Sequence, residues 1–254
     1  MCLINFSFQD HPRYKLVIAA NRDEFYKRPT EKAHYWNDAP NLLAGRDLLQ
    51  MGTWLGVTKT GRIAALTNFR DPSMPETGKL SRGAIVRNFL STNASPEVFL
   101  GSLIAEDYTG FNLIAGTADE LFYYSNIDNR LSSIDQGVHG LSNHFLNTPW
   151  PKVVKGKKHL ERYLSAHLEL DLDQLFELLA DAEQADETAL PNTGVGLEFE
   201  KILSPMFIKT ADYGTRSSTI VAVDMDNHLT FAERVYQNGH LKGEQVFNFK
   251  ISHS

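Results

Sequence analysis

The sequence predicts an α+β fold in which antiparallel sheets are covered by helices. Three observations carry that reading. Short β-rich runs joined by hairpin turns occupy both ends of the chain, stretches of helical spacing fall between them, and nothing alternates strand with helix as a βαβ-wound nucleotide fold requires. No internal repeat or long low-complexity linker interrupts the 254 residues, so residues 1–254 read as a single domain.

The elements follow in order. Residues 3–8 read as a strand, Gln9 to Arg13 with Pro12 as a turn, and residues 14–20 as the returning strand. Residues 24–41 are polar and are expected to form a loop. Residues 52–58 and 62–69 flank Lys59-Thr60-Gly61, whose glycine suits a tight hairpin. Ser81 precedes a helical run over 82–90, and Ser95-Pro96-Glu97 opens a second at 98–105, a hydroxyl N-cap followed by proline at the first helical position. Strands are expected at 111–116, 120–124 and 137–142, helices at 152–166 and 172–182, and strands at 218–223, 229–235 and 245–251.

Composition excludes several functions. With 25 Lys+Arg against 31 Asp+Glu the formal charge is −6, which gives no electrostatic reason to dock on nucleic acid or an anionic membrane. The sole cysteine, Cys2, rules out a disulfide framework within the chain and a zinc site built from several cysteines. No signal peptide and no run long enough to span a membrane is legible, so a cytoplasmic protein without a membrane span is expected. There is no G-x-G-x-x-G, P-loop, H-E-x-x-H or G-x-S-x-G, and the nine histidines are scattered, so no metal site is expected.

Cys2 is the residue with chemistry to offer. If Met1 is removed, one residue carries both a thiol and a free α-amine, and the amine can serve as base for its own neighbouring nucleophile. An arbitrary second-position cysteine is more often buried and inert. The surrounding motifs change the balance: Asn21-Arg22-Asp23-Glu24, Ala44-Gly45-Arg46-Asp47, Gly52-Thr53-Trp54-Leu55-Gly56, Leu66-Thr67-Asn68-Phe69-Arg70, Gly140-Leu141-Ser142-Asn143, Thr148-Pro149-Trp150 and Tyr213 to Thr219. In this order, over nearly the whole chain, they closely resemble the NRDE family, the family of the transport and Golgi organisation proteins. More distantly they resemble N-terminal cysteine nucleophile hydrolases of the choloylglycine hydrolase and penicillin V acylase type.

That resemblance implies a four-layer αββα sandwich. It places Cys2 on the nucleophile, Asp23 on the acid after the second strand, Asn68 and Asn143 on two asparagines that serve the oxyanion, and Arg216 on a late arginine beside the nucleophile. Those hydrolases carry an arginine a few residues before the aspartate, where this chain has Ala19-Ala20; Arg22 is adjacent instead, and its direction is left open. The implied substrate is a small amphipathic molecule, an acyl amide or acyl thioester, and hydrolysis requires no cofactor. The resemblance also implies an alternative, a carrier that holds heme or acyl-coenzyme A in the same cleft. Aromatic residues near the motifs, Phe25, Tyr26, Tyr35, Trp36, Trp54 and Trp150, are expected either to line an apolar pocket or to fill the core.

Overall fold

The computed structural model describes residues 2–73 and 80–252. Met1, on which the processing expectation turns, lies outside the described residues. The first strand, β1 (Cys2–Phe8), pairs antiparallel with β2 (Tyr14–Phe25) through the expected turn, in the register Cys2↔Arg22 and Phe8↔Leu16. The strand β2 continues five residues beyond the apolar run, because Asn21 to Phe25 pair on the other side with the late strand β11 (Tyr213–Asp224).

The expected loop at 24–41 is a correction. It contains β3 (Thr30–Trp36) and the start of β4 (Ala39–Asp47), an antiparallel pair whose outer strand buries Ala33 and Trp36 and leaves its charged positions toward solvent. Alternating polarity on an edge strand reads as loop when the partner is unknown. The chain continues through β5 (Leu55–Thr58) and β6 (Ile63–Asn68) to the helices α1 (Arg82–Leu90) and α2 (Pro96–Gly101), the latter capped by the Ser95 side chain, which accepts from Val98 N. Next come β7 (Phe111–Gly116), β8 (Leu121–Ser125), β9 (Arg130–Ser133), β10 (Gly137–Leu141), α3 (Pro151–Ala166), α4 (Leu172–Leu179) and the short α5 (Leu197–Ile202). After β11, the strands β12 (His228–Gln237) and β13 (His240–Lys250) close the chain.

Two antiparallel sheets result, one in the order β10-β1-β2-β11-β12-β13 and the other in the order β3-β4-β5-β6-β7-β8-β9. Strand alternation assigns each face. Ile4, Phe6, Leu16 and Ile18 point inward and pack on Leu43, Val57, Ile63 and Ile114 of the facing sheet. Leu3, Val17 and Ile220 point outward and are covered by Leu160, Leu164, Phe176 and Leu179 of α3 and α4. On the far side, Ile85, Val86, Phe89 and Leu100 of α1 and α2 cover Ala64, Leu66 and Leu113. The order of layers is therefore helix, sheet, sheet, helix. The helix α3 approaches β1 closely at Gly156, where a Cβ would sit 2.4 Å from the Asn5 side chain.

Candidate functional site

The head of β1 opens into a cleft of about 330 Å³ lined by Cys2, Arg22, Trp54, Leu66, Asn68 and Arg82 among others. Cys2 is 8% exposed and stands directly across the β1–β2 ladder from Arg22, so both side chains project to the cleft side of the sheet. Burial pushes the Cys2 thiol up, and the Asp23 charge adds to this; the Arg22 charge and the backbone N–H of Asp23, which donates to the thiol, pull it down.

Arg22, whose direction the sequence leaves open, thus lines the cleft. Its Nη2 lies 3.6 Å from Asp47 and 3.9 Å from Glu24, and Arg28 bridges the same two acids. Burial raises Asp47, but the Arg28 hydrogen bond and the N–H groups of Gln50 and Leu49 outweigh it and hold the carboxyl below its ordinary value. This ionic rim joins the Asn21-Arg22-Asp23-Glu24 and Ala44-Gly45-Arg46-Asp47 motifs, which are distant in sequence.

Asp23 also borders the cleft, and strand alternation turns its side chain to the opposite face of the sheet from that of Arg22. Its Oδ1 accepts from Thr215 Oγ1 at 2.7 Å. Burial pushes the carboxyl up, opposed first by the charge of Lys152 and also by the Thr215 bond and Arg22.

Asn68 ends β6 on the cleft wall. Asn143 does not line the cleft: it is fully buried behind it, its Nδ2 donating to the Asn68 carbonyl at 2.9 Å and its Oδ1 accepting from Ser142 Oγ at 3.2 Å. Ser142 Oγ also donates to the Cys2 carbonyl at 3.0 Å, so the Gly140-Leu141-Ser142-Asn143 motif ties the two strand ends that carry Cys2 and Asn68.

The late arginine, Arg216, is not brought to the thiol. The β2–β11 register slips between Thr215 and Ser217, and Arg216 is the extra residue. Its Nη1 donates to the carbonyls of Phe25, Tyr26 and Arg28 at 2.9–3.1 Å and so fixes the turn that carries Arg28. Across the ladder from Cys2 stands a different cation, Arg22.

Sequence reasoning missed the charged layer beneath the site. Lys152, in the first turn of α3, is 3% exposed and donates from Nζ to Leu203 O at 3.0 Å; burial brings it down to about 8. Arg70 and Glu200 form a buried ion pair at 2.8 Å, with the Arg70 guanidinium over Trp150 at 4.8 Å. Tyr213 is pushed well above its ordinary value by burial and by the Asp23 and Cys2 charges. A signal for Lys152 was present: with Gly156, Leu160 and Leu164 it falls on one i, i+4, i+8, i+12 stripe, the stripe that faces the sheet.

Of the aromatic residues near the motifs, Trp54 lines the cleft. Trp36 lies in the core beneath Arg46, Tyr35 packs on Phe247 and Phe249, and Phe25 stacks edge-on against Tyr213. Among the described residues, Asp224, Asp226 and His228 are close enough to share a cation, but they form the β11–β12 turn, where Asp224 Oδ1 accepts from the N–H groups of Asp226 and His228.

The fold has solved counterparts. The chain resembles a Caenorhabditis elegans N-acylethanolamine-hydrolyzing acid amidase ortholog, with a TM-score of 0.55 at 11% identity over 86% of this chain and 92% of that one. It also resembles a C2A mutant of the conjugated bile acid hydrolase from Clostridium perfringens, with a TM-score of 0.54 at 9% identity over 100% of this chain and 98% of that one. At such identities the likeness is one of fold, the αββα sandwich of N-terminal nucleophile hydrolases. Sequence relatives are nearer. The Transport and Golgi organization protein 2 homologs of Bos taurus and Homo sapiens are 37% and 36% identical, each over 92% of both chains. The family model described as Transport and Golgi organisation 2 matches residues 1–238, and the chain belongs to that family.

Proposed function

We propose that this chain is a hydrolase with Cys2 as an N-terminal nucleophile, acting on an amide or thioester whose acyl group is small and polar. The observation that carries this reading is the placement of Cys2: it heads a strand at a cleft, faces Arg22 across the ladder, and its thiol accepts the Asp23 backbone N–H. In this reading the Cys2 thiol gives its proton to the α-amine freed by loss of Met1, and Sγ attacks the carbonyl carbon. The leaving amine or thiol departs with that proton, and water then hydrolyses the acyl-enzyme thioester.

A tetrahedral oxyanion needs fixed donors. The Asn68 carboxamide, on the cleft wall, is the donor proposed here, and Asn143 acts through it by holding its backbone. Charged groups surround most of the cleft, and the apolar contribution comes from Trp54, Leu66 and Leu80. That lining favours a polar acyl group over heme or a long acyl chain, which would bury more apolar surface.

Untagged protein incubated with short acyl thioesters and read by intact mass spectrometry tests the proposal. The expected population begins at Cys2 and carries an acyl adduct that turns over, whereas Cys2→Ala carries none and releases no product. Undiminished turnover in Cys2→Ala removes the thiol from the reaction. A population that retains Met1 throughout lacks the basic amine and counts against the mechanism. Saturable heme or acyl-coenzyme A binding, unchanged in Cys2→Ala and without turnover, favours the carrier.

A further inference from the structure

Arg22 is a buried cation whose donors are not used. It is 7% exposed, stands across the β1–β2 ladder from Cys2, and lines the same cleft. A guanidinium carries its N–H donors in one rigid plane. The contacts of Arg22 with Asp47 and Glu24, at 3.6 and 3.9 Å, are ion pairs too long to be hydrogen bonds. Its Nη1 is buried and has no hydrogen-bond partner among the described residues. A buried donor in that state is destabilising until an acceptor reaches it.

The acids of the rim are in the opposite condition. Asp47 accepts from Arg28 Nε through one carboxylate oxygen and from the N–H groups of Leu49 and Gln50 through the other. Glu24 accepts from Phe25 N through Oε1 at 2.8 Å, and its Oε2 faces both Arg22 and Arg28. These two acids are therefore shared between two guanidinium groups, and Arg82 in the cleft lining adds further positive charge. The cleft lacks an acceptor for Arg22, not a donor for its acids.

Residues directly opposite on an antiparallel pair have Cβ atoms about 5 Å apart, so an acyl group bonded to the Cys2 sulfur begins beside the Arg22 side chain. The cleft, at about 330 Å³, is at the small end of ligand pockets. We propose that Arg22 is the specificity-determining residue of this cleft and takes a carboxylate carried by the acyl group. The substrate is then a half-amide or half-thioester of a short dicarboxylic acid. A carboxylate is the acceptor that a guanidinium engages through two parallel N–H···O bonds. Turnover of such a substrate rests on the hydrolase reading; recognition of its carboxylate does not.

Cys2→Ala protein, which forms no covalent adduct, is titrated by calorimetry with N-methylsuccinamate and with its uncharged isostere N-methylsuccinamide. The carboxylate is expected to bind saturably and about tenfold more tightly or better, a preference lost when Arg22→Gln is added. In the parent it should also shield the Cys2 thiol from iodoacetamide, where the uncharged ligand does not. Succinyl p-nitroanilide should be hydrolysed with about tenfold higher kcat/KM than succinamoyl p-nitroanilide, and Arg22→Gln should bring that ratio to about 1. The ratio cancels any effect of the substitution on the thiol, which the Arg22 charge also influences.

Equal binding of the two ligands overturns the inference, and so does a preference that survives Arg22→Gln. If Arg22→Gln does not fold, the shielding of Cys2 still decides, because a carboxylate that leaves alkylation unchanged is not bound beside the thiol. Carboxylate-selective binding in a protein that releases no p-nitroaniline would sink the hydrolase reading and leave the site standing. Turnover of both anilides at equal rates would do the reverse.

Discussion

The two helical layers of this sandwich are built from different materials. Over the seven-stranded sheet, α1 and α2 present Ile85, Val86, Phe89 and Leu100, and cations reach this layer by stacking on its aromatic rings, Arg62 on Phe89 and Arg46 on Trp36. Over the six-stranded sheet, α3 presents an equally apolar stripe from Val153 to Leu164 but begins it with Lys152, next to the Arg70–Glu200 pair. The first layer is a cover. The second encloses Lys152 and the Arg70–Glu200 pair behind the strand end that carries Asp23.

Four substitutions sharpen that contrast. Phe89→Ala, in the apolar layer, should have the largest effect on stability, a loss of about 3–5 kcal/mol by chemical denaturation. It should leave the pH dependence of Cys2 alkylation by iodoacetamide where it is in the parent; a moved profile would show that the two layers are not independent. Cys2 is the one cysteine of the chain, so the alkylation signal is unambiguous.

Glu233 is a buried acid in neither layer. It lies on β12 against Ala33, whose N–H donates to its Oε2 at 2.7 Å, and burial pushes it up to about 7. Because the folded protein holds this proton more tightly than the unfolded chain, its contribution is fully present below about pH 4.5 and is lost as pH rises through 7. Glu233→Gln should remove that slope and raise stability at pH 8 by about 2–3 kcal/mol. A parent slope unchanged in the variant would assign the pH dependence to other groups, Asp23 foremost.

The smallest effects should come from the helix caps. Ser95 caps α2 in one layer and Asp171 caps α4 in the other, each accepting one backbone N–H. Replacing either by alanine should cost about 1 kcal/mol. A much larger loss at Asp171 alone would mean that α4 holds the charged layer together as well as covering it.

Much of this architecture was legible because local patterns and tertiary roles agreed. The β1–β2 hairpin, the Gly61 turn and the Ser95-Pro96 helix start all carry short-range signals that the structure uses as written. The first two strands of the seven-stranded sheet were not legible at residues 24–41, since their pairing is what makes their polar positions an exposed face. At the site, Cys2, Arg22, Asp23 and Asn68 converge at one end of the six-stranded sheet and the facing end of β6, as motifs in chain order suggested. Arg216 departs because of a one-residue register slip, which leaves no mark in the sequence. Lys152 was overlooked because a lysine reads as solvent-facing, although its helical phase said otherwise.

The contact between Gly156 and Asn5 has a consequence for proton chemistry some way off. Gly156 lies one turn along α3 from Lys152 on the same face, so the depth to which the helix sinks onto β1 at Gly156 also sets how deeply the Lys152 ammonium is buried. A side chain at residue 156 would act as a wedge under the helix. The missing methyl group is thus a spacer gauge: by touching neither Cys2 nor Asp23, residue 156 calibrates the electrostatic field in which both ionise.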